Sequence, residues 1–106
     1  NIMPEHVSKT IQYVEEHISE NISLTDIETA LNFNNRYISR MFKQNTGISL
    51  KQYILEKKVV LAQSLLSQGF SVMDACDKCG FRDYSNFIRT FKLYTGKTPG
   101  SFKKHK

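Results

Sequence analysis

Long apolar runs are missing from this 106-residue chain, and so is any signal-peptide pattern at its start. A membrane span and a membrane partner are therefore excluded, and the cytoplasm is the expected location. Tryptophan is absent, and only two prolines and five glycines occur. Glycine never clusters into a phosphate-cradling loop; it stands singly and reads as helix punctuation. No stretch alternates as a strand does, and there is neither a low-complexity segment nor a long linker. Cysteine is limited to Cys76 and Cys79 and histidine to the dispersed His6, His17 and His105. A zinc site needs about four ligands, so no metal is expected. The Cys-x-x-Cys lies within a helix rather than at a helix start, which favours core packing over redox sensing. No catalytic arrangement stands out: no enzyme and no cofactor is expected. The chain opens on Asn1 rather than Met, as a segment cut from a longer protein would.

Acidic residues are scarce in the second two-thirds. Residues 1–34 hold one lysine and six acids, a net charge of −5; residues 35–106 hold fourteen Lys and Arg against four acids, a net charge of +10. A field of that sign attracts nucleic acid or an anionic surface. Glu15, Glu16 and Glu20 form either a solvated helix face or a contact for an effector domain or RNA polymerase.

What is present is helical periodicity. Val7, Ile11, Val14 and Ile18 recur at three- and four-residue spacing, predicting a first helix over 5–18 with Pro4 at its start. Ser23 with Asp26 opens a second helix, with Leu24, Ile27 and Leu31 on its apolar face. A third runs over 35–45, burying Ile38, Met41 and Phe42, and Gly47 stops it. Ser49 with Gln52 starts a long helix over 50–67, whose buried stripe is read as Tyr53, Ile54, Leu61, Ala62 and Leu65. Ser71 with Asp74 starts a fifth helix that Gly80 closes. Asp83 caps a sixth over 84–94, burying Phe87, Ile88 and Phe91; Thr98-Pro99 opens a short seventh. Phe33, Phe42, Phe81, Phe87 and Phe91 are all expected in cores.

The chain also repeats itself. Arg40, Phe42-Lys43 and Thr46-Gly47 recur as Arg89, Phe91-Lys92 and Thr95-Gly96, and Leu24, Ile27, Leu31 and Phe33 are echoed by Val72, Ala75, Cys79 and Phe81. Each copy is two short helices joined by a tight turn, which is helix-turn-helix grammar. In such a unit the second helix enters the major groove and its early residues reach base edges. The outward residues are Arg36, Tyr37, Ser39, Arg40 and Lys43 in one copy, and Tyr84, Ser85, Asn86, Arg89 and Lys92 in the other. Arg suits a guanine edge, Asn an adenine edge, and Ser reads weakly. An ordinary solvated face is also rich in Arg and Lys; the duplicated context favours recognition.

The stretch Cys79-Gly80-Phe81-Arg82-Asp83-Tyr84-Ser85-Asn86-Phe87-Ile88-Arg89-Thr90-Phe91-Lys92, followed by Thr95-Gly96-Lys97-Thr98-Pro99, resembles the signature of AraC/XylS-family transcription regulators. Tyr37-Ile38-Ser39-Arg40-Met41-Phe42-Lys43 with Thr46-Gly47-Ile48-Ser49 matches in the first copy, and the resemblance covers roughly residues 5–105. It implies an all-α fold of seven helices, with two helix-turn-helix units (about 24–45 and 72–94) joined by a long central helix (about 50–67) that would hold them at a fixed separation. It implies base reading by Arg36, Ser39 and Arg40 and by Tyr84, Ser85, Asn86 and Arg89. Asn35, Tyr37, Lys43, Lys92 and Lys97 are expected on phosphates. Double-stranded DNA is the expected partner, RNA polymerase a second, and an effector or dimerisation domain is expected outside this chain. Three positions depart from the family pattern. Glu28 replaces a small residue on the bracing helix, which disturbs close packing there. Lys58 replaces an arginine, which removes a two-donor contact. Gly100 replaces a bulkier residue, which loosens the last helix.

Activation through two successive major grooves is the function expected. The alternatives are a helical protein-interaction module, a repressor with one unit inserted, and a metal- or redox-active regulator using Cys76 and Cys79.

Overall fold

The computed structural model describes residues 4–104. It contains seven helices: α1 (Glu5–Glu16), α2 (Leu24–Leu31), α3 (Asn35–Thr46), α4 (Leu50–Ser67), α5 (Val72–Lys78), α6 (Tyr84–Thr95) and α7 (Pro99–Lys104). No strand occurs among the described residues. The chain forms two compact units, one of the chain up to Ile18 with Ile22–Ile54, the other of Ser19–Asn21 with Leu55 onward.

In the first unit, α2 begins at a complete capping box. The Asp26 N–H donates to Ser23 Oγ (3.1 Å) and the Ser23 N–H to the Asp26 carboxylate (2.9 Å), satisfying two of the donors every helix start leaves over. Ser23 holds the Asp26 carboxyl below its usual range, through its backbone N–H first and its side chain second. Asn32 ends α2 with φ at 59°, a left-handed conformation that Asn tolerates better than most residues. Two residues later Asn34 caps α3 by accepting from the Arg36 N–H at 2.9 Å. The core packs Val7 and Val14 of α1 with Ile27, Ile38, Phe42, Leu50 and Ile54.

The second unit repeats the scheme with a more aromatic core: Val59, Ala62 and Leu66 of α4 meet Ala75, Cys79, Phe81, Phe87 and Phe91. Phe87 lies 5.2 Å from Phe81 and 6.0 Å from Phe91, whose edge meets Phe102 of α7 at 5.6 Å. These are favourable tilted and edge-on pairings.

Each recognition helix ends in one and the same device. Thr46 Oγ1 donates to Phe42 O (2.7 Å) or to Ile48 O (3.1 Å) and accepts from the Ile48 N–H at 3.3 Å. Thr95 Oγ1 does likewise with Phe91 O, Lys97 O and the Lys97 N–H at 2.8, 3.0 and 3.1 Å. Between each threonine and the next helix stand Gly47 and Gly96, at φ of 85° and 81°. Ser49 and Thr98 then cap the following helices through the Gln52 and Ser101 N–H groups. The duplication thus extends past the two-helix pairs: the start of α4 corresponds to α7, with Leu50 and Pro99 both fully buried.

Several sequence expectations need correction. Met41 and Ile88 are half-buried and Leu24 is 38 % exposed. The buried positions of α4 are Leu50, Ile54, Lys58, Val59, Ala62 and Leu66, whereas Tyr53, Leu61 and Leu65 are half-buried. A helix that serves two cores in succession presents no single stripe, which is why a one-face reading misplaced them. Phe33 is 37 % exposed, unlike Phe81 at 8 %; it packs against His6 and Tyr37 instead of entering a core. Gly100, expected to loosen the last helix, lies within α7, which is held by Thr98, by Phe102 and by Lys103 Nζ on Phe70 O at 2.9 Å.

Lys58 does not forfeit a two-partner contact. Its Nζ donates to the carbonyl oxygens of Glu20 and, at 2.9 Å, of Cys79, and the side chain is buried within the second unit. Burial pushes its pKa down against the pull of the neighbouring Cys79 and Glu20. Gly80 makes room for this bridge: a Cβ there would stand 2.5 Å from both Glu20 O and Lys58 Nζ, on a backbone whose φ is 79°. Lys58→Met should therefore lower unfolding free energy by about 1–3 kcal/mol for each orphaned carbonyl. Gly80→Ala should be at least as damaging, and urea denaturation of both variants measures it.

Candidate nucleic-acid interface

On α3, Arg36, Arg40 and Lys43 are exposed and Asn35, Tyr37 and Ser39 half-buried; on α6, Tyr84, Ser85, Asn86, Arg89 and Lys92 are all exposed, as is Lys97 beyond its end. The opposite stripes are fully buried through Ile38 and Phe42 in one helix and Phe87 and Phe91 in the other. Each helix therefore shows its polar face outward because its apolar face is committed.

Among the described residues, none of Arg36, Arg40, Lys43, Arg89, Lys92 and Lys97 shares an ion pair with a carboxylate, whereas Lys9 of α1 pairs with Glu5 at 3.7 Å. Six cations without internal counter-ions leave their charge for an external anion.

The two arginines shared by the repeat are held differently. Arg89 Nη2 donates to Asn86 Oδ1 at 3.4 Å on its own helix. The Arg40 guanidinium carbon lies 5.9 Å from the centre of the Tyr37 ring. Beside the first face is a depression of about 400 Å³ lined by Leu24, Ser39, Arg40, Lys43, Gln44, Ser49, Leu50 and Lys51. Lys51 is a cation next to the expected readers that residue spacing did not single out, because it belongs to the following helix.

Glu28 is the other residue missed. Instead of disturbing the packing of α2, its carboxylate accepts from the Asn35 N–H at 2.9 Å and from the Asn35 side-chain amide at 3.5 Å. It is a second cap for α3, delivered from the bracing helix, and it places negative charge where the helix dipole favours it. Asn35 thus meets any phosphate with its backbone N–H already engaged. The signal was available as an acid seven residues ahead of a helix start whose local cap, Asn34, covers only the next donor.

The two thiols have no exposed chemistry. Cys76 Sγ faces Phe81 O at 3.8 Å and Cys79 Sγ faces Cys76 O at 3.6 Å, and both side chains are buried. Burial raises both pKa values, that of Cys79 to about 12 despite the nearby Lys58. A thiol raised in this way stays protonated at neutral pH, and the thiolate is the reactive nucleophile. Among the described residues no group of His, Cys, Asp and Glu could hold a metal ion, and no helix is long and apolar enough to cross a membrane.

With this geometry in place, similarity to known proteins is decisive. A family described as a helix-turn-helix domain matches residues 27–105. The chain belongs to the AraC/XylS family of helix-turn-helix DNA-binding domains. It is 32 % identical over 103 residues to the transcriptional regulator YtdP of Bacillus subtilis, covering 95 % of this chain and 13 % of that protein. The C-terminal domain of AraT, a response regulator of Geobacillus stearothermophilus, superposes with a TM-score of 0.95 at 25 % identity, over 100 % of this chain and 89 % of that one. The DNA-binding domain of the global transcriptional factor AdpA, solved with a target DNA, shares the fold with a TM-score of 0.88 at 22 % identity, over 96 % and 93 % of the two chains. The chain spans between 13 % and 39 % of the length of the first curated relatives it matches.

As an AraC/XylS domain the chain owes its function to DNA binding, and its family is one of transcription regulators rather than enzymes. Two outcomes are expected. Glu28→Ala should destabilise the first unit by about 0.5–2 kcal/mol, the usual cost of losing a cap, read from thermal unfolding. Native protein should resist iodoacetamide at neutral pH, with both cysteines alkylated after unfolding in urea, as mass spectrometry would show.

Proposed function

We propose that this domain reads one DNA sequence through two unlike faces, Arg36, Ser39 and Arg40 on α3 and Tyr84, Ser85, Asn86 and Arg89 on α6. Asn35, Tyr37, Lys43, Lys92 and Lys97 hold phosphates. The observation that carries this reading is the pair of exposed cationic faces, free of carboxylate partners, on two helices whose other sides are fully buried. Phosphate contacts supply affinity and register, while the two reading faces supply sequence choice. The scaffolds of the two copies match and their outward residues do not, so the target is asymmetric rather than palindromic. Within a longer bacterial regulator the domain serves activation in the cytoplasm, with RNA polymerase as partner; the transcriptional regulators among its relatives support this role.

Selection of binding sites from random duplexes, followed by footprinting, tests the reading. Base substitutions that weaken binding should fall in two clusters about ten base pairs apart, one helical turn. Affinity should drop steeply with salt, with a log–log slope of about −5 if about six phosphates are neutralised. Arg89→Ala should cost about 1–3 kcal/mol on the selected duplex and relax choice at one position, whereas Lys97→Ala should weaken all duplexes alike. Equal losses on selected and random DNA for Arg89→Ala would reassign it to a phosphate, and salt-independent binding would overturn the DNA reading of these faces.

A further inference from the structure

The first unit carries a ring cluster that lies outside its core. His6 of α1 lies 4.9 Å from the Tyr37 ring of α3 and 5.8 Å from Phe33 in the turn, and Phe33 lies 5.9 Å from Tyr37. The three rings thus close a triangle, each within contact of the other two. A fourth group joins through Tyr37 alone: the Arg40 guanidinium, 5.9 Å from its ring centre, inside the range of a cation–π contact.

We infer that His6 and Phe33 are positioning residues for Arg40, fixing the Tyr37 ring so that it holds the guanidinium ready for a base edge; this rests on Arg40 being a base reader. Two features of the cluster have no other account. Phe33 is more than a third exposed where its counterpart Phe81 is core, so it contributes little to stability but forms one wall of the Tyr37 site. Among the described residues, His6 Nε2 is buried with no hydrogen-bond partner, a cost that native proteins seldom accept without a return. Here the imidazole acts through its ring and not through hydrogen bonding of that nitrogen.

The physical gain is preorganisation. An exposed arginine has many rotamers, and ordering it on binding opposes affinity. A phosphate accepts a cation from several positions, but a guanine edge requires the planar fork in one. Holding Arg40 beforehand therefore favours the selected site over random DNA. The second unit meets the same need by another route, the Asn86 side chain, which is why its turn can give its phenylalanine to the core.

A double-mutant cycle on the full chain tests the idea. His6→Ala should weaken binding to the selected duplex by about 2–5-fold, the range of an exposed cation–π contact, and random-duplex binding by clearly less, since only the Tyr37 phosphate contact is common to both. In an Arg40→Ala background the same substitution should cost nothing further. His6→Phe keeps the ring and removes the orphaned nitrogen, so it should retain selected-site affinity and melt at a higher temperature. The side-chain δ-methylene protons of Arg40, shifted upfield by the Tyr37 ring in NMR spectra of the free protein, should move toward unstructured values in His6→Ala and in Phe33→Ala. Should His6→Ala fail to fold, Phe33→Ala carries the cycle, since Phe33 lies outside the core. Additive losses in the two backgrounds, or an unmoved Arg40 resonance, overturn the inference while leaving Arg40 a base reader. Unaltered selected-site affinity in Arg40→Ala overturns base reading by that residue, and the inference falls with it.

Discussion

An isolated helix of twelve residues is marginal in water, and α3 and α6 are each twelve residues long. Their order comes from one buried stripe apiece. Phe42 and Phe91 are fully buried at equivalent positions, and removing such a ring from a core costs about 3–5 kcal/mol. Everything on the outward faces of α3 and α6 depends on that commitment: with one side fixed, the residues a quarter-turn to a half-turn away have no freedom to face inward. The threonine hydroxyl beneath each C-terminal glycine then sets where the helix stops and the next begins. Burial decides which face is presented, and capping decides how long that face is.

The two copies share this frame and diverge in how they support it. The first relies on polar supports: a glutamate from the bracing helix on the Asn35 N–H, an asparagine cap, and rings around Tyr37. The second relies on packed phenylalanines and a buried ammonium that gathers two carbonyls. Polar supports of the first kind are exposed or half-buried and contribute about 0.5–2 kcal/mol each; aromatic burial contributes about 3–5 kcal/mol and tolerates less. The second copy is thus the more rigidly specified of the two.

Helices and their caps were legible in the sequence because they depend on neighbours three or four residues apart: Ser23 with Asp26, Asp83 before Tyr84, Gly47 and Gly96 after their threonines. The outward sets on α3 and α6 were legible for the same reason. Hidden were contacts made across longer separations. Glu28 reaches seven residues to Asn35, and Lys58 reaches thirty-eight back to Glu20 and twenty-one forward to Cys79. Both positions looked like defects against the family pattern. Each is a charged group satisfied by backbone, and no periodicity argument detects a partner of that kind. The stripe of α4 was misread for a related reason, since a helix shared between two cores breaks the one-face rule.

A tandem duplication ought to come apart at its seam, but this one would not. Ser19–Asn21, between α1 and α2, belong to the second unit, and the Glu20 carbonyl is one of the two that receive the Lys58 ammonium. A gene fragment beginning at residue 55 would encode every helix of the second unit from the Leu55 portion of α4 onward. It would still lack one of the two acceptors of its own buried cation, the Glu20 carbonyl. The second copy has therefore lost the independence it had if it arose as a separate module, and three residues of a surface connection are what it now depends on.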